Sequence, residues 1–234
     1  MRTLIISDVH VPYHDAGALK VAISYARERK VDTIIINGDL LDFAAVSHHD
    51  KTTDVATLRD EIDVGKDVLA LIRRRLPNAR ITYRLGNHEE RLEYYLMRHA
   101  REIAQLGVVT IDRLLELDRL KIDYQRDRRP IWIGKLCVLH GHEMRSSAAI
   151  NIAKAVLDRT HVNTIVGHWH RRQQYDRRSV DGSMIGCWVV GCLCDLRPHY
   201  MPINQWQHGF AIVEVHRSGR FRVDNHIIVD GDVL

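Results

Sequence analysis

With 234 residues, 45% hydrophobic and 27% charged, the chain has an ordinary globular composition and the length for one large α/β domain over 1–234. No apolar run reaches the roughly 18 residues of a membrane span, so no membrane partner is expected, and a net charge of +4 does not by itself mark a nucleic-acid binder. The four cysteines (137, 187, 192, 194) form no C-x-x-C, which excludes a thioredoxin-type motif and suits small core residues in a reducing cytoplasm.

The opening MRTLIISDVH enters a strand, TLIIS (3–7), directly, so no signal peptide is expected. A helix follows over 16–29, then the strand TIIIN (33–37), whose consecutive Ile34, Ile35 and Ile36 predict burial on both faces. Residues 54–76 read as a helix with Val55, Leu58, Ile62, Leu69, Ile72 and Leu76 on one stripe. Packing in the core is the expected use of that stripe, with a homodimer seam as the alternative. RITYRL (80–85) is a strand, 89–106 a helix, LCVL (136–139) a strand, 147–158 a helix and TIV (164–166) a strand. Short apolar strands alternating with helices predict βαβ units. Beyond residue 172 the pattern turns to hairpins: SVDGSMI carries an Asp-Gly turn, and AIVEVHRSGRFRVDNHIIV reads as two strands around Ser218-Gly219. The whole predicts a mixed β-sandwich flanked by helices.

Polar residues of one kind stand where these strands end. The first runs into Asp8-Val9-His10, the second into Gly38-Asp39-Leu40-Leu41-Asp42, and the third into Gly86-Asn87-His88-Glu89. The fourth gives His140-Gly141-His142 and the fifth Gly167-His168-Trp169-His170. Carboxyl ends of strands in an α/β sheet line one crevice, so these five turns can converge. Residues two apart in extended chain share a face, which predicts that His168 and His170 project together from one strand end. Taken singly, Asp8, Asp39 and Asn87 read as caps or turn formers, and His140 or His168 as a satisfied buried imidazole. Together they offer carboxylate, amide and imidazole ligands without thiolate, a set suited to Mn, Fe, Ni or Zn. Seven ligands exceed the needs of one ion, whereas two ions sharing a carboxylate use them all.

The series D-x-H, G-D-x-x-D, G-N-H-E, H-G and G-H-x-H, in that order over residues 8–170, resembles the calcineurin-like metallophosphoesterases, in the manner of their bacterial and phage members. The resemblance implies a four-layer α/β/β/α sandwich of mixed sheets and a centre of two divalent metal ions, manganese foremost, with Fe, Ni or Zn as alternatives. One ion would take Asp8, His10, Asp39 and His170, and the other Asp39, Asn87, His140 and His168, with Asp39 shared. The implied activity is hydrolysis of a phosphodiester or phosphomonoester by in-line attack of a metal-bridging hydroxide. His88 would be the general acid, and Asp42 the carboxylate that holds it. His142 is open between a ligand's neighbour and a substrate contact. His14, His48, His49, Arg91, Arg145, Arg171 and Arg197 are candidates for the mouth. GDLLDF lacks the Arg that follows the second Asp in protein Ser/Thr phosphatases, which argues against phosphoprotein and for a small phosphorylated substrate. A nuclease acting on DNA or RNA is the alternative, and would need a basic, aromatic-lined groove beside the metals. A metal-free interaction module, like the phosphoesterase-like subunit of retromer, would be expected to have lost ligands that this chain keeps.

Overall fold

The computed structural model describes residues 1–48, 55–144 and 150–234. In chain order it contains β1 (Arg2–Ile6), α1 (Ala16–Glu28), β2 (Thr33–Asn37), a 3-10 turn (Ala44–Val46), α2 (Leu58–Arg75) and β3 (Arg80–Arg84). Then come α3 (Asn87–His99), α4 (Arg101–Gln105), α5 (Ile111–Leu114), β4 (Ile122–Gln125), β5 (Ile131–Ile133), β6 (Leu136–Val138), α6 (Ile152–Thr160) and β7 (Thr164–Val166). The chain closes with β8 (Gln173–Arg178), β9 (Met184–Val189), β10 (Gly209–Val215), β11 (Phe221–Val229) and β12 (Asp232–Val233).

Two mixed sheets result, ordered β12-β11-β10-β1-β2-β3-β4 and β5-β6-β7-β9-β8. β1 to β4 run parallel, as do β6, β7 and β9. Alternation along the strands sorts their side chains into three cores. Leu4, Ile6, Ile34 and Ile36 pack with Leu19 and Ile23 of α1, Leu69 and Ile72 of α2 and Leu92 of α3. Ile5 and Ile35 point the other way, to Val138, Ile165 and Trp188 of the second sheet and to Val190 just beyond β9. Val166, Cys187 and Val189, on that sheet's far face, meet Ile152, Ala153, Val156 and Leu157 of α6. Helix, sheet, sheet and helix are thus stacked in that order, as a two-residue period dictates for strands buried on both faces. The stripe of α2 belongs to the first core, through Ile62, Leu69 and Ile72.

The helix starts have local causes. Asp15 accepts from the Ala18 N–H at 2.8 Å, Thr57 and Asp60 form a reciprocal capping box, and Asn151 accepts from Lys154 N–H. The expected starts at 54 and 147 fall on residues outside those described, and the described helices open at Leu58 and Ile152. The expected helix 89–106 begins two residues earlier and breaks at Ala100, whose φ of −152° and ψ of 52° end the ladder without any Gly or Pro to announce it. β4 and β5 carry no strand signal in the sequence for a physical reason: one is an edge strand with a single buried side chain in four, the other has three residues. Both expected hairpins are present, turning at Gly182 (φ 83°) and Gly219 (φ 78°). Among the described residues no helix is long and apolar enough to cross a membrane.

Candidate metal centre

β1, β2 and β3 are parallel neighbours in one sheet, and β6 and β7 in the other, so their carboxyl ends open on one edge of the sandwich. Hydrogen bonds join the five turns that follow. Val9 and His10 N–H both donate to Asp39 O, at 2.9 and 3.0 Å. Between the sheets, Asn37 Nδ2 donates to Leu139 O at 2.8 Å, His168 N–H to Asp8 Oδ2 at 2.8 Å, and His140 Nδ1 to Asn37 O at 2.6 Å. Gly86 and Gly167 stand where a Cβ would collide, the first with Asp39 Oδ1, the second with Ser7 Oγ.

Five of the seven expected ligands adopt left-handed backbone: Asp8 (φ 56°), His10 (52°), Asp39 (52°), His168 (69°) and His170 (57°). Each such non-glycine residue costs about 1–3 kcal/mol, so five in one place need a surrounding structure that over-determines them. They also correct the extended geometry expected for His168 and His170. β7 ends at Val166, and the two imidazoles leave a contorted turn in different directions. His170 reaches His10 and Asp8, whereas His168 joins Asp39 and His140.

Asp39 lies between the groups. Its Oδ2 is 3.2 Å from His140 Nε2, 3.8 Å from His88 Nε2 and 3.9 Å from His10 Nε2, and its Oδ1 accepts from the His88 N–H at 3.0 Å. Asn87 Oδ1 lies 3.2 Å from His140 Nε2. Across the centre, His170 Nε2 is 3.2 Å from both His10 Nε2 and Asp8 Oδ1. Asp8 Oδ1 is fully buried and lacks a well-formed hydrogen bond. An orphaned carboxylate oxygen facing two imidazole nitrogens fits a divalent cation, which would satisfy all three lone pairs. The groups His10–Asp39–His88 and Asp39–His140–His168 each gather three potential ligand atoms around the same carboxylate.

Charge follows from this packing. Burial works against ionisation of Asp8 and Asp39, but His170 and His140 beside them outweigh it and hold both well below the usual carboxylate range. Burial likewise opposes imidazolium at His140 and His170. The carboxylates of Asp39 and Asp8 win again, raising each to about 10. His168 is driven down to about 4 by burial and by its neighbour His140. At pH 7 His140 and His170 are therefore protonated and His168 neutral, so a cation held by the first two would have to displace their protons. Apparent metal affinity should rise with pH through the neutral range, about tenfold per unit for each proton displaced. Calorimetric titration with Mn²⁺ in two buffers of different ionisation enthalpy checks this, and identical heats in both would contradict it.

Around the centre, Asp42 Oδ1 touches His10 Nδ1 at 2.8 Å and His88 Nδ1 at 3.1 Å, so it orients two imidazoles where the sequence suggested one. His88 Nδ1 donates to Asp42 O at 2.8 Å, and its Nε2 accepts from Arg91 Nη2 at 2.9 Å. Arg91 Nη1 also donates to Asp42 O, at 2.9 Å, so a guanidinium occupies this corner although none follows Asp42 in sequence. The His142 side chain packs beside His140, 5.3 Å between rings, with Nε2 3.4 Å from Glu90 Oε1. Arg171 turns to Gln205, His48 and Arg197 are exposed, and His14 pairs through its backbone with Cys194. His49 and Arg145 lie outside the described residues.

Four residues of the centre have no role assigned to them by the sequence. Glu89 is fully buried and accepts from the N–H groups of Asp39, Leu41 and Gly86 and from Tyr83 OH at 2.6 Å, locking two ligand turns together. Its place three residues after Gly86, at a helix start, is a capping-box signal that could have revealed it. Arg84, fully buried, pairs with Glu143, which in turn accepts from Gly141 N–H at 2.7 Å and so fixes the turn of His140. Cys194 Sγ lies 3.7 Å from His170 Nδ1, and nothing in its spacing predicts that.

A family model of the calcineurin-like phosphoesterases matches residues 1–172. Two phage proteins resemble the chain end to end. The Gene 54 protein of Mycobacterium phage L5 is 24% identical and that of Mycobacterium phage D29 22% identical, each match covering 97% of this chain and 98% of the relative. Among solved structures, a single mutant of Vps29 from Entamoeba histolytica is similar in fold, with a TM-score of 0.53 at 16% identity, over 100% of this chain and 96% of the other.

Proposed function

Because the chain belongs to the calcineurin-like phosphoesterase family, we propose that it hydrolyses a phosphodiester or phosphomonoester with two divalent ions gathered around Asp39. The observation that carries this reading is the single buried carboxylate oxygen, Asp39 Oδ2, facing His140 on one side and His10 and His88 on the other. Asp8, His10, Asp39 and His170 would hold one ion, and Asp39, Asn87, His140 and His168 the other. When bound, such a pair lowers the pKa of water to near neutrality and draws charge from phosphoryl oxygens.

The chain's own residues do the rest. Asp42 fixes His10 through Nδ1, leaving Nε2 directed at the centre. Glu89 and the Arg84–Glu143 pair hold the turns of Asp39 and His140 in place. His88 and Arg91 form the wall beside Asp42. A guanidinium there can grip a phosphoryl oxygen, and once it releases His88 Nε2 that nitrogen is free to take up a proton from solvent and pass it, from the imidazolium, to the leaving oxygen. The four cysteines are unpaired and buried, in keeping with a cytoplasmic setting.

EDTA is expected to abolish hydrolysis of bis-p-nitrophenyl phosphate, and Mn²⁺ to restore it better than Mg²⁺, since imidazole ligands favour the former. Metal content should approach two ions per chain. Full activity of stripped protein in Mg²⁺ alone would overturn the site as drawn.

A further inference from the structure

Aromatic side chains are scarce in this protein, 15 in 234 residues, yet two of them lead outward from the metal centre. Residues 190–208, between β9 and β10, form a long connection without helix or strand, a length that usually has a use. Its base is pinned to the site: Leu193 N–H donates to Asp8 O at 3.0 Å and Gln207 N–H to His170 O at 2.7 Å. Its outer part closes on itself. Asn204 Nδ2 donates to Leu196 O and Met201 O, both at 2.8 Å, and Trp206 N–H donates to Asn204 Oδ1 at 2.8 Å. A loop tied in this way holds a shape.

On that loop Trp206 meets the His170 ring at 4.2 Å between centroids and 62°, and Tyr200 meets Trp206 at 6.3 Å and 65°. Tyr200 is 71% exposed, close enough to Asp42 and Arg91 for their charges to act on its phenol. At that exposure the T-shaped contact with Trp206 covers only part of Tyr200, and most of its ring is open to solvent. Core packing does not account for so exposed a ring on a fixed loop. Of the nearby cations, Arg91 acts on the phenol, Arg171 lies 2.5 Å from Gln205 of the same loop, and Arg197 is an exposed residue of that loop. Flat aromatic surface, guanidinium groups and a phosphate-cleaving centre together select a ligand that is a planar heterocycle at one end and an anion at the other.

The geometry points to a nucleobase subsite formed by Tyr200 and Trp206, which makes the ester cleaved at Asp39 a nucleotidyl phosphodiester. The phosphate sits at the metal centre and the base of the adjoining nucleoside stacks on Tyr200. This assignment rests on the phosphoesterase reading above. Hydrolysis joins the oxygen of one water to phosphorus, breaks one ester P–O bond and passes a proton to the departing alcohol. Stacking of a base on an aromatic side chain contributes about 1–3 kcal/mol, and every base offers a π-face, so the subsite accepts bases without strict sequence preference.

The test has a binding arm and a turnover arm. In metal-stripped protein, fluorescein-labelled hexathymidylate is titrated by anisotropy, and Tyr200→Ala is expected to weaken binding by about 5–150-fold, the equivalent of that stacking energy, with Tyr200→Phe close to the parent. In Mn²⁺-loaded protein, thymidine 5′-(p-nitrophenyl phosphate) is compared with methyl p-nitrophenyl phosphate, which has the same leaving group and no base. The ratio of kcat/KM between the two should favour the nucleotide in the parent, fall in Tyr200→Ala by a factor in the same range, and survive in Tyr200→Phe. A ratio unmoved by Tyr200→Ala, or lost equally in Tyr200→Phe, overturns the subsite. Hexathymidylate binding that depends on Tyr200 while neither ester is cleaved supports the subsite and overturns the phosphoesterase reading instead.

Discussion

Asp39→Asn is expected to empty both metal positions together and to lower turnover by at least the ~10²–10³-fold that one electrostatic stabiliser of a transition state is worth. Asp39 Oδ1 is taken by the His88 N–H at 3.0 Å, so Oδ2 alone faces both ligand groups. An amide in its place keeps the shape and the backbone contact but removes the negative charge that both ions would share. Asp8→Asn differs. Asp8 Oδ2 accepts from the His168 N–H, and Oδ1 faces only His170 and His10. That variant should lose one ion and keep the other. Metal content by elemental analysis separates the two cases, and loss of the same single ion in both would place the shared ligand elsewhere.

His88→Asn is expected to leave metal content near normal while lowering hydrolysis in proportion to the basicity of the leaving group. On an alkyl ester the deficit should approach the ~10²–10⁴-fold of general acid catalysis, and on a p-nitrophenyl ester it should be clearly smaller, because that leaving group departs without a proton. The hydrogen bonds sharpen the expectation. His88 Nδ1 is held by Asp42 O and Nε2 faces Arg91, so an acid role needs Nε2 to be freed of Arg91 by the substrate phosphate and then protonated from solvent, and the proton is delivered from that atom. Asp42→Asn should show more than a weaker copy of this pattern. Asp42 also holds His10 Nδ1, and loss of such a partner typically costs about 10–100-fold in metal affinity. Equal deficits on the two esters in His88→Asn would assign His88 to charge stabilisation, and a missing ion would make it a ligand.

Much of this architecture was legible in the residues. Ile34-Ile35-Ile36 suggests a strand covered on both faces, and its side chains do divide between the helix-facing core and the sheet-facing core. The Asp, Asn and His residues lie immediately after apolar strands, so their convergence followed from the parallel order of those strands. Strand, stripe and turn are local properties, set by neighbours two to four positions apart. The edge strand β4 and the break at Ala100 carry no such local signal, and only packing decided them.

The chemistry of the centre was decided by contacts between residues far apart in the chain. His168 and His170 read as a same-face pair, yet left-handed backbone at both sends one to Asp39 and the other to Asp8, a turn held by the His168 N–H bonded to a carboxylate 160 residues away. The guanidinium beside Asp42 comes from Arg91 on α3, and the clamp on Asp39 from Glu89, because β2 and β3 are neighbours in the sheet. Trp206 and Tyr200 have no periodicity to mark them, and they matter only because the loop between β9 and β10 is pinned to His170. Sequence by itself determined which residue types stand at the strand ends, since burial and turn formation act over a few positions. The tertiary structure alone decided which of them share a carboxylate, because that depends on the closing of two sheets onto one another.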